Sequence, residues 1–352
     1  MKAAIAVGMT TGPEWPQTVE FVREAERLGV DQAWSAEAWG SDAVTPLAYL
    51  AAVTDSILLG TGIMQISSRT PTMTAQTALT LAALSGGRFM LGLGASGPQV
   101  VEGLHGQPFA HPLGRMRETI GIIRLAMSGE KVAFAGRHFQ LPLPGGEGKA
   151  LRLAVGPDST IPIWLATLSP KMLELTGELA DGWLGTSFVP EGAEEASIRH
   201  LRAGAERAGR SLRDFDLAQG GDVAFGDDVG RLVAERKPGL AFALGGMGSP
   251  TTNFYNDAYS RQGWAEEADE VRRLWVSGDR KGAVAAVPDE MVLQTTLIGT
   301  RDMVRDRMRV IRDVGISTLR LYPAGSTLDE RLATLGQALD LLREIDGEPD
   351  RK

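Results

Sequence analysis

The residues with the clearest chemical promise are the glycines Gly92, Gly94 and Gly97, which spell GxGxxG with Leu93, Ala95 and Ser96 between them. Three structures could use such a turn. In a dinucleotide-binding fold it would carry a pyrophosphate, but a strand ending in an acidic residue should follow at the right distance, and Glu118 falls in a helical pattern instead. The glycines could also serve only to turn the chain at a barrel corner. The reading favoured here is a loop that, with the helix starting near Pro98, aims backbone N–H groups and the Ser96 hydroxyl at a ligand phosphate.

Other chemistries are disfavoured by what is missing. There is no cysteine, which excludes disulfides, thiolate nucleophiles and cysteine-bound metals. The four histidines (His105, His111, His138, His200) show no HxxxH or HExxH spacing, so a metal enzyme is not expected. His105 and His111 read as surface or supporting residues. A net charge of −8 without a basic stripe argues against a nucleic-acid partner. No apolar run approaches the length of a membrane span, and the N-terminal run is too short for a secretory signal. The expectation is a cytoplasmic protein with no membrane partner.

These residues must be held by some scaffold, and the pattern along the chain specifies one. Short apolar runs alternate with amphipathic segments of helical length, the mark of βα repeats on a parallel core. Candidate strands fall at 3–9, 32–35, 57–63, 88–93, 162–166, 182–185, 215–223 and 318–322; eight fits a closed barrel. A helix is expected at 16–28, stopped by Gly29, and the same helix–glycine–strand punctuation recurs at Gly86-Gly87 and Gly315. The 43 glycines, far above the usual share, suit many tight βα turns. The fold class expected is therefore α/β, a (β/α)8 TIM barrel forming a single domain over 1–352. Two stretches break the rhythm: a hairpin at 131–149 and a segment at 245–290 with helices at 265–276 and 281–286. Both read as insertions in βα loops, which often cover an active site. The charged segment 329–352 reads as a final helix and tail. An open doubly wound sheet is the competing architecture, but its fingerprint should sit in the first βα turn, not the fourth.

The runs WSAEAWGSDAVTPLAYLAA (34–52), LGTGIMQISSRTP (59–71), SGGRFMLGLGASGPQVVEGLHG (85–106), IPIWLATLSPKMLELTGELADGWLGTSFVPE (161–191) and GGMGSPTTNFYN (245–256) together resemble the luciferase-like monooxygenase superfamily. Within it the chain is similar to the branch that uses the deazaflavin coenzyme F420, including mycobacterial F420-dependent oxidoreductases, and the last run is similar to methylene-tetrahydromethanopterin reductases. The resemblance implies a cofactor across the C-terminal mouth of the barrel, where barrel physics also places ligands. It further implies a bulge at Gly62-Ile63, often with a cis peptide, behind the deazaflavin ring, with Ala36, Met64 and Gln65 near the ring. The plainer alternative is that Gly60 and Gly62 relieve crowding within the strand.

On the same resemblance, phosphate binding falls to Ser96, Gly97, Pro98, Gln99 and Val100, with Ala166, Thr167 and Leu168 after the fifth strand and Gly185 and Thr186 after the sixth. The two threonines could instead cap helices near Pro170 and Glu191. Glu37 follows the second strand, where many relatives carry a catalytic histidine. It is the candidate acid or base, if apolar neighbours such as Trp34 and Trp39 raise its pKa, and Trp39 would wall the pocket. The alternative for Glu37 is a structural pairing with an arginine such as Arg69.

The function implied is hydride transfer between deazaflavin C5 and a small organic substrate, the accompanying proton moved by Glu37 or an ordered water. Alternatives are an FMN-dependent monooxygenase on the same fold and a non-catalytic flavin-binding protein. Relatives are often dimers, which makes a homodimer the expected assembly.

Overall fold

A computed structural model of the chain describes residues 1–8, 12–249 and 252–348. Eight parallel strands form a closed ring: β1 (Lys2–Gly8), β2 (Gln32–Ser35), β3 (Leu58–Thr61), β4 (Phe89–Gly94), β5 (Ile163–Ala166), β6 (Gly182–Leu184), β7 (Asp216–Phe225) and β8 (Thr318–Pro323). Each pairs with its neighbour in chain order, and β8 pairs with β1 to close the barrel. Every expected strand is present to within a few residues; the end of the first expectation, Met9, lies outside the described residues. Strands β2 and β4 are buried along their whole length, as parallel strands covered on both faces must be.

Local sequence explains the elements. The first helix, Trp15–Leu28, buries Phe21, Val22 and Ala25 against the sheet, and Gly29 ends it at φ 94°, a left-handed conformation that glycine adopts without a Cβ clash. Inside the barrel, Trp34 and Trp164 meet edge-to-face with ring centroids 5.1 Å apart, packed with Ala4, Met90, Leu184 and Ala218. Gly60 makes that plug possible, since a Cβ there would sit 2.4 Å from the Trp34 ring. Crowding relief is thus the role of Gly60, whereas at Gly62 the nearest atom to a Cβ would be 3.4 Å away.

The expected third strand, 57–63, is interrupted, and the interruption matters for the site. Gly60 pairs with Met90 and Met64 with Leu93, so residues 61–63 face only residues 91–92 and one residue bulges out. The Thr61 hydroxyl bridges the gap, donating to the Gly92 carbonyl and accepting from the Gly92 N–H, both at 2.9 Å. The peptide between Gly62 and Ile63 is cis. The chain then re-enters the sheet as the short strand Met64–Gln65.

The first insertion is an antiparallel hairpin, Phe134–Ala135 with Gln140–Leu141. The second carries helices Phe254–Tyr259, Ala265–Val276 and Arg280–Ala285, which pack on the helix Val229–Gly245 around their own apolar cluster. Pro250 and Thr251, within the GGMGSPTTNFYN run, lie outside the described residues, as do residues 349–352 beyond the final helix, Leu328–Asp346. Among the described residues no helix is long and apolar enough to cross a membrane.

Candidate functional site

A cavity of about 850 Å³ opens at the C-terminal mouth of the barrel. Its near wall comes from the turns after β2, β3 and β4. Ala36, Glu37, Trp39, Gly62, Ile63 and all five residues from Ser96 to Val100 line it. Gly94 lets the bulge seat against β4: a Cβ there would lie 2.8 Å from the Ile63 side chain. Ser96 takes φ 59°, and so does Ser187 across the cavity at φ 51°; non-glycine residues held in this region cluster at functional sites. Trp39 stands at the rim, 57% exposed.

Glu37 is the keystone of this wall. Its side chain is 7% exposed, and its Oε1 accepts from Arg69 at 2.6 Å and from the Gln65 N–H at 2.9 Å, while Oε2 accepts from the Ala43 N–H at 3.1 Å. The carboxylate therefore ties the start of the helix Val44–Ala51 to the chain just past the bulge. Both oxygens serve as acceptors for N–H donors, an arrangement suited to holding backbone in place. The structural pairing with Arg69 is the one the geometry realises, and the Trp34 ring expected beside Glu37 lies in the barrel plug.

Four sequence expectations need correction. Met64 and Gln65 do not line the cavity. After the bulge both are buried again by re-pairing with β4, and Met64 joins the layer between strands and helices. Gly185 is also off the cavity: its N–H donates to the Ala218 carbonyl, its own carbonyl accepts from Arg320, and a Cβ would lie 1.2 Å from Gln219. Thr167 lines the cavity, but its hydroxyl meets that of Thr176 at 2.8 Å. Thr176 donates onward to the Met172 carbonyl, so Thr167 is the donor to Thr176 and its hydrogen points away from any ligand. Neither threonine caps a helix, since the caps are Ser169 and Val189. Ala166, Leu168 and the exposed Thr186 do line the cavity; His105 and His111 are exposed outside it.

The far wall escaped the sequence reading. Gly220, Gly221 and Asp222 of β7, Arg236, Leu240, Phe242 and Ala243 of the helix Val229–Gly245, and Phe254, Tyr255 and Tyr259 of the insertion all face the cavity. The available signal was an acidic residue behind two glycines in the C-terminal half of a barrel strand. Asp222 meets Arg236 only at 3.6 Å, and Arg236 also holds Glu235 at 2.9 Å. Partial burial raises the Asp222 carboxyl from its ordinary value, with the Arg236 charge working against it. Tyr259 is pushed up to about 12 by complete burial, against the hydroxyls of Ser187 and Thr295. The insertion also reaches the turn after β4, where the Gln99 side chain donates to the Gly248 carbonyl and Phe109 meets Phe254 with centroids 6.1 Å apart. Among the described residues no cluster of three or more potential ligands could hold a metal ion.

Comparison with known proteins adds the following. The family model described as luciferase-like monooxygenase matches residues 1–318. A Mycobacterium tuberculosis protein whose name assigns it to the coenzyme F420-dependent oxidoreductases is 43% identical over 93% of this chain and 97% of its own length. The methylenetetrahydromethanopterin reductase of Archaeoglobus fulgidus is 30% identical over 84% of this chain and 86% of its own. Among solved structures, the F420-dependent tetrahydromethanopterin reductase of Methanopyrus kandleri superimposes with a TM-score of 0.80 at 23% identity, covering 96% of this chain and 97% of that one. An F420-dependent secondary alcohol dehydrogenase gives a TM-score of 0.74 at 17% identity, covering 97% and 99%.

Proposed function

The chain belongs to the luciferase-like monooxygenase family, and from that premise we propose that it is a coenzyme F420-dependent oxidoreductase moving a hydride to or from a small organic substrate in the barrel mouth. The observation that carries this reading is the near wall. A bare backbone bulge at Gly62 and Ile63, fixed from behind by Glu37, shares one cavity with a turn at Ser96 and Gly97 that is open for an anionic group, in a chain 43% identical to a relative of that name.

The residues fit the cofactor as follows. Gly62 and Ile63 would back the ring, with Ala36 and Trp39 beside it; Ser96, Gly97, Gln99 and Val100 would hold the tail, helped by Thr186 and the backbone at Ala166 and Leu168. When bound, F420 supplies a carbon that accepts or donates hydride, and the chain's own task is to position it and exclude water. Glu37 is a positioning residue in this scheme. The setting is cytoplasmic, and the substrate is a small molecule.

The test is a pair of fluorescence titrations of the purified protein, one with F420 and one with reduced and oxidised FMN. Saturable binding of F420 is expected, with none of FMN; binding of FMN alone overturns the reading in favour of a flavin monooxygenase. A panel of carbonyl compounds and alcohols, followed at the deazaflavin absorbance, separates an enzyme from a protein that binds without turnover.

A further inference from the structure

The far lobe of the cavity has a composition that selects its occupant. Leu240, Phe242, Met247, Phe254 and Val292 give it an apolar surface. Among the described residues, the charged ones lining the cavity are Glu37, Asp222 and Arg236. Glu37 is committed to Arg69, and Arg236 to Glu235 at 2.9 Å. A carboxylate or phosphate on the substrate would therefore find no uncommitted counter-charge in this lobe, and burying an unpaired charge is strongly unfavourable.

Asp222 is the acidic group there whose oxygens accept no hydrogen bond among the described residues. The two residues before it are glycines because the strand runs flush against its neighbours: a Cβ at Gly220 would lie 1.8 Å from the Arg320 carbonyl, and one at Gly221 2.7 Å from the Thr295 carbonyl. Asp222 is thus the first functional side chain of β7 at the mouth. Its side chain is 50% exposed, and the residue lines the cavity. Its contact with Arg236, at 3.6 Å, is longer than a hydrogen bond, and among the described residues no donor occupies its oxygens.

Resting on the F420 reading above, we propose that the far lobe is the subsite for an uncharged, largely apolar organic substrate bearing one carbonyl or hydroxyl, and that Asp222 carries the proton exchanged at that oxygen. In the reducing direction, F420 when bound in its reduced form would supply the hydride to the carbonyl carbon. The C=O π pair takes the proton from the Asp222 carboxyl, giving the alcohol and the Asp222 carboxylate, which water then re-protonates. Oxidation runs through the same atoms in reverse: the carboxylate takes the hydroxyl proton as the C–H hydride leaves for the oxidised deazaflavin. The elevated proton affinity of Asp222 suits a donor to a neutral oxygen. The titratable and charged groups near it are Arg236 from the adjacent helix and Tyr322, its register partner on β8, with Arg320 behind that ring; Tyr255 and Tyr259 from the insertion line the same cavity. Burial raises both Tyr255 and Tyr259 above the ordinary tyrosine value, so they stay neutral where Asp222 titrates.

The experiment is calorimetric titration with benzylacetone, a neutral ketone, and hydrocinnamate, its near-isosteric anion, into the protein with and without F420. Benzylacetone should bind at least about 10-fold more tightly than hydrocinnamate. Its affinity should fall as pH rises past the Asp222 pKa in the wild type and stay flat in Asp222→Asn. A second variant, Leu240→Trp, should fill the lobe and abolish ketone binding with F420 affinity unchanged. Equal or tighter binding of the anion, no saturable binding of the ketone, or a wild-type pH profile as flat as that of Asp222→Asn overturns the proposal. Failure of F420 itself to bind the wild type overturns the cofactor assignment instead, and the titrations without F420 still decide the lobe.

Discussion

Glu37 and Asp222 sit three strands apart around the same mouth, and the protein treats them in opposite ways. Glu37 accepts from two backbone N–H groups and an arginine, so it works as a strut. Among the described residues Asp222 is met only by an arginine at 3.6 Å, and it lines the cavity. The contrast extends to what surrounds them. The near wall is made of βα turns that grow directly from the barrel strands, whereas the far wall combines the end of β7 and the helix Val229–Gly245 with an inserted helical segment packed around a separate apolar cluster. A wall that must present the same cofactor benefits from rigidity. A wall that meets the substrate can vary without disturbing the barrel.

Breaking the strut should have the largest effect. Glu37→Ala leaves Arg69 and two N–H groups without their acceptor and is expected to destabilise the fold by about 3–5 kcal/mol, read by urea denaturation, with F420 affinity reduced in parallel. If stability and affinity both survive, the near wall is not held as described. Next comes Asp222→Asn, which should lower turnover by about 10²-fold while F420 affinity in the fluorescence titration stays within error. A comparable loss of F420 affinity would erase the division between the walls. Gly221→Ala drives a Cβ toward the Thr295 carbonyl and should cost about 1–3 kcal/mol, with substrate affinity falling before cofactor affinity.

The smallest effect sharpens the comparison through pH. Because the folded-state pKa of Asp222 lies above its ordinary value of 3.8, the folded protein binds that proton more tightly than the unfolded chain. The stability this group contributes is full below the ordinary value and is lost as pH rises through the folded value. Urea midpoints of wild type and Asp222→Asn should therefore diverge on raising pH from about 4 toward neutrality, with the wild type losing ground. A constant gap between the two would mean that Asp222 is not desolvated.

The barrel and much of the near wall were legible in the chain because their signals are local. Alternation of apolar runs placed all eight strands; Gly62, Ile63 and the turn from Ser96 to Val100, named through the family resemblance, line the cavity. Local signals failed where a partner in another element decided the outcome. Met64 and Gln65 were misplaced because only pairing with Leu93 and Gly94 returns them to the interior. Thr167 was taken for an open donor because the sequence does not reveal that Thr176, nearly two turns into the helix Pro170–Leu179, claims its hydrogen.

What the sequence determined by itself was periodicity, punctuation and motif: a parallel barrel, its order of elements, and the turns able to face a ligand. The tertiary structure decided which carboxylate is spent and which is free, because that depends on donors contributed by distant segments: Gln65 and Arg69 for Glu37, and only a remote Arg236 for Asp222. A side chain's chemistry is written in its own code letter, but its availability is set by whatever folding brings within hydrogen-bond reach.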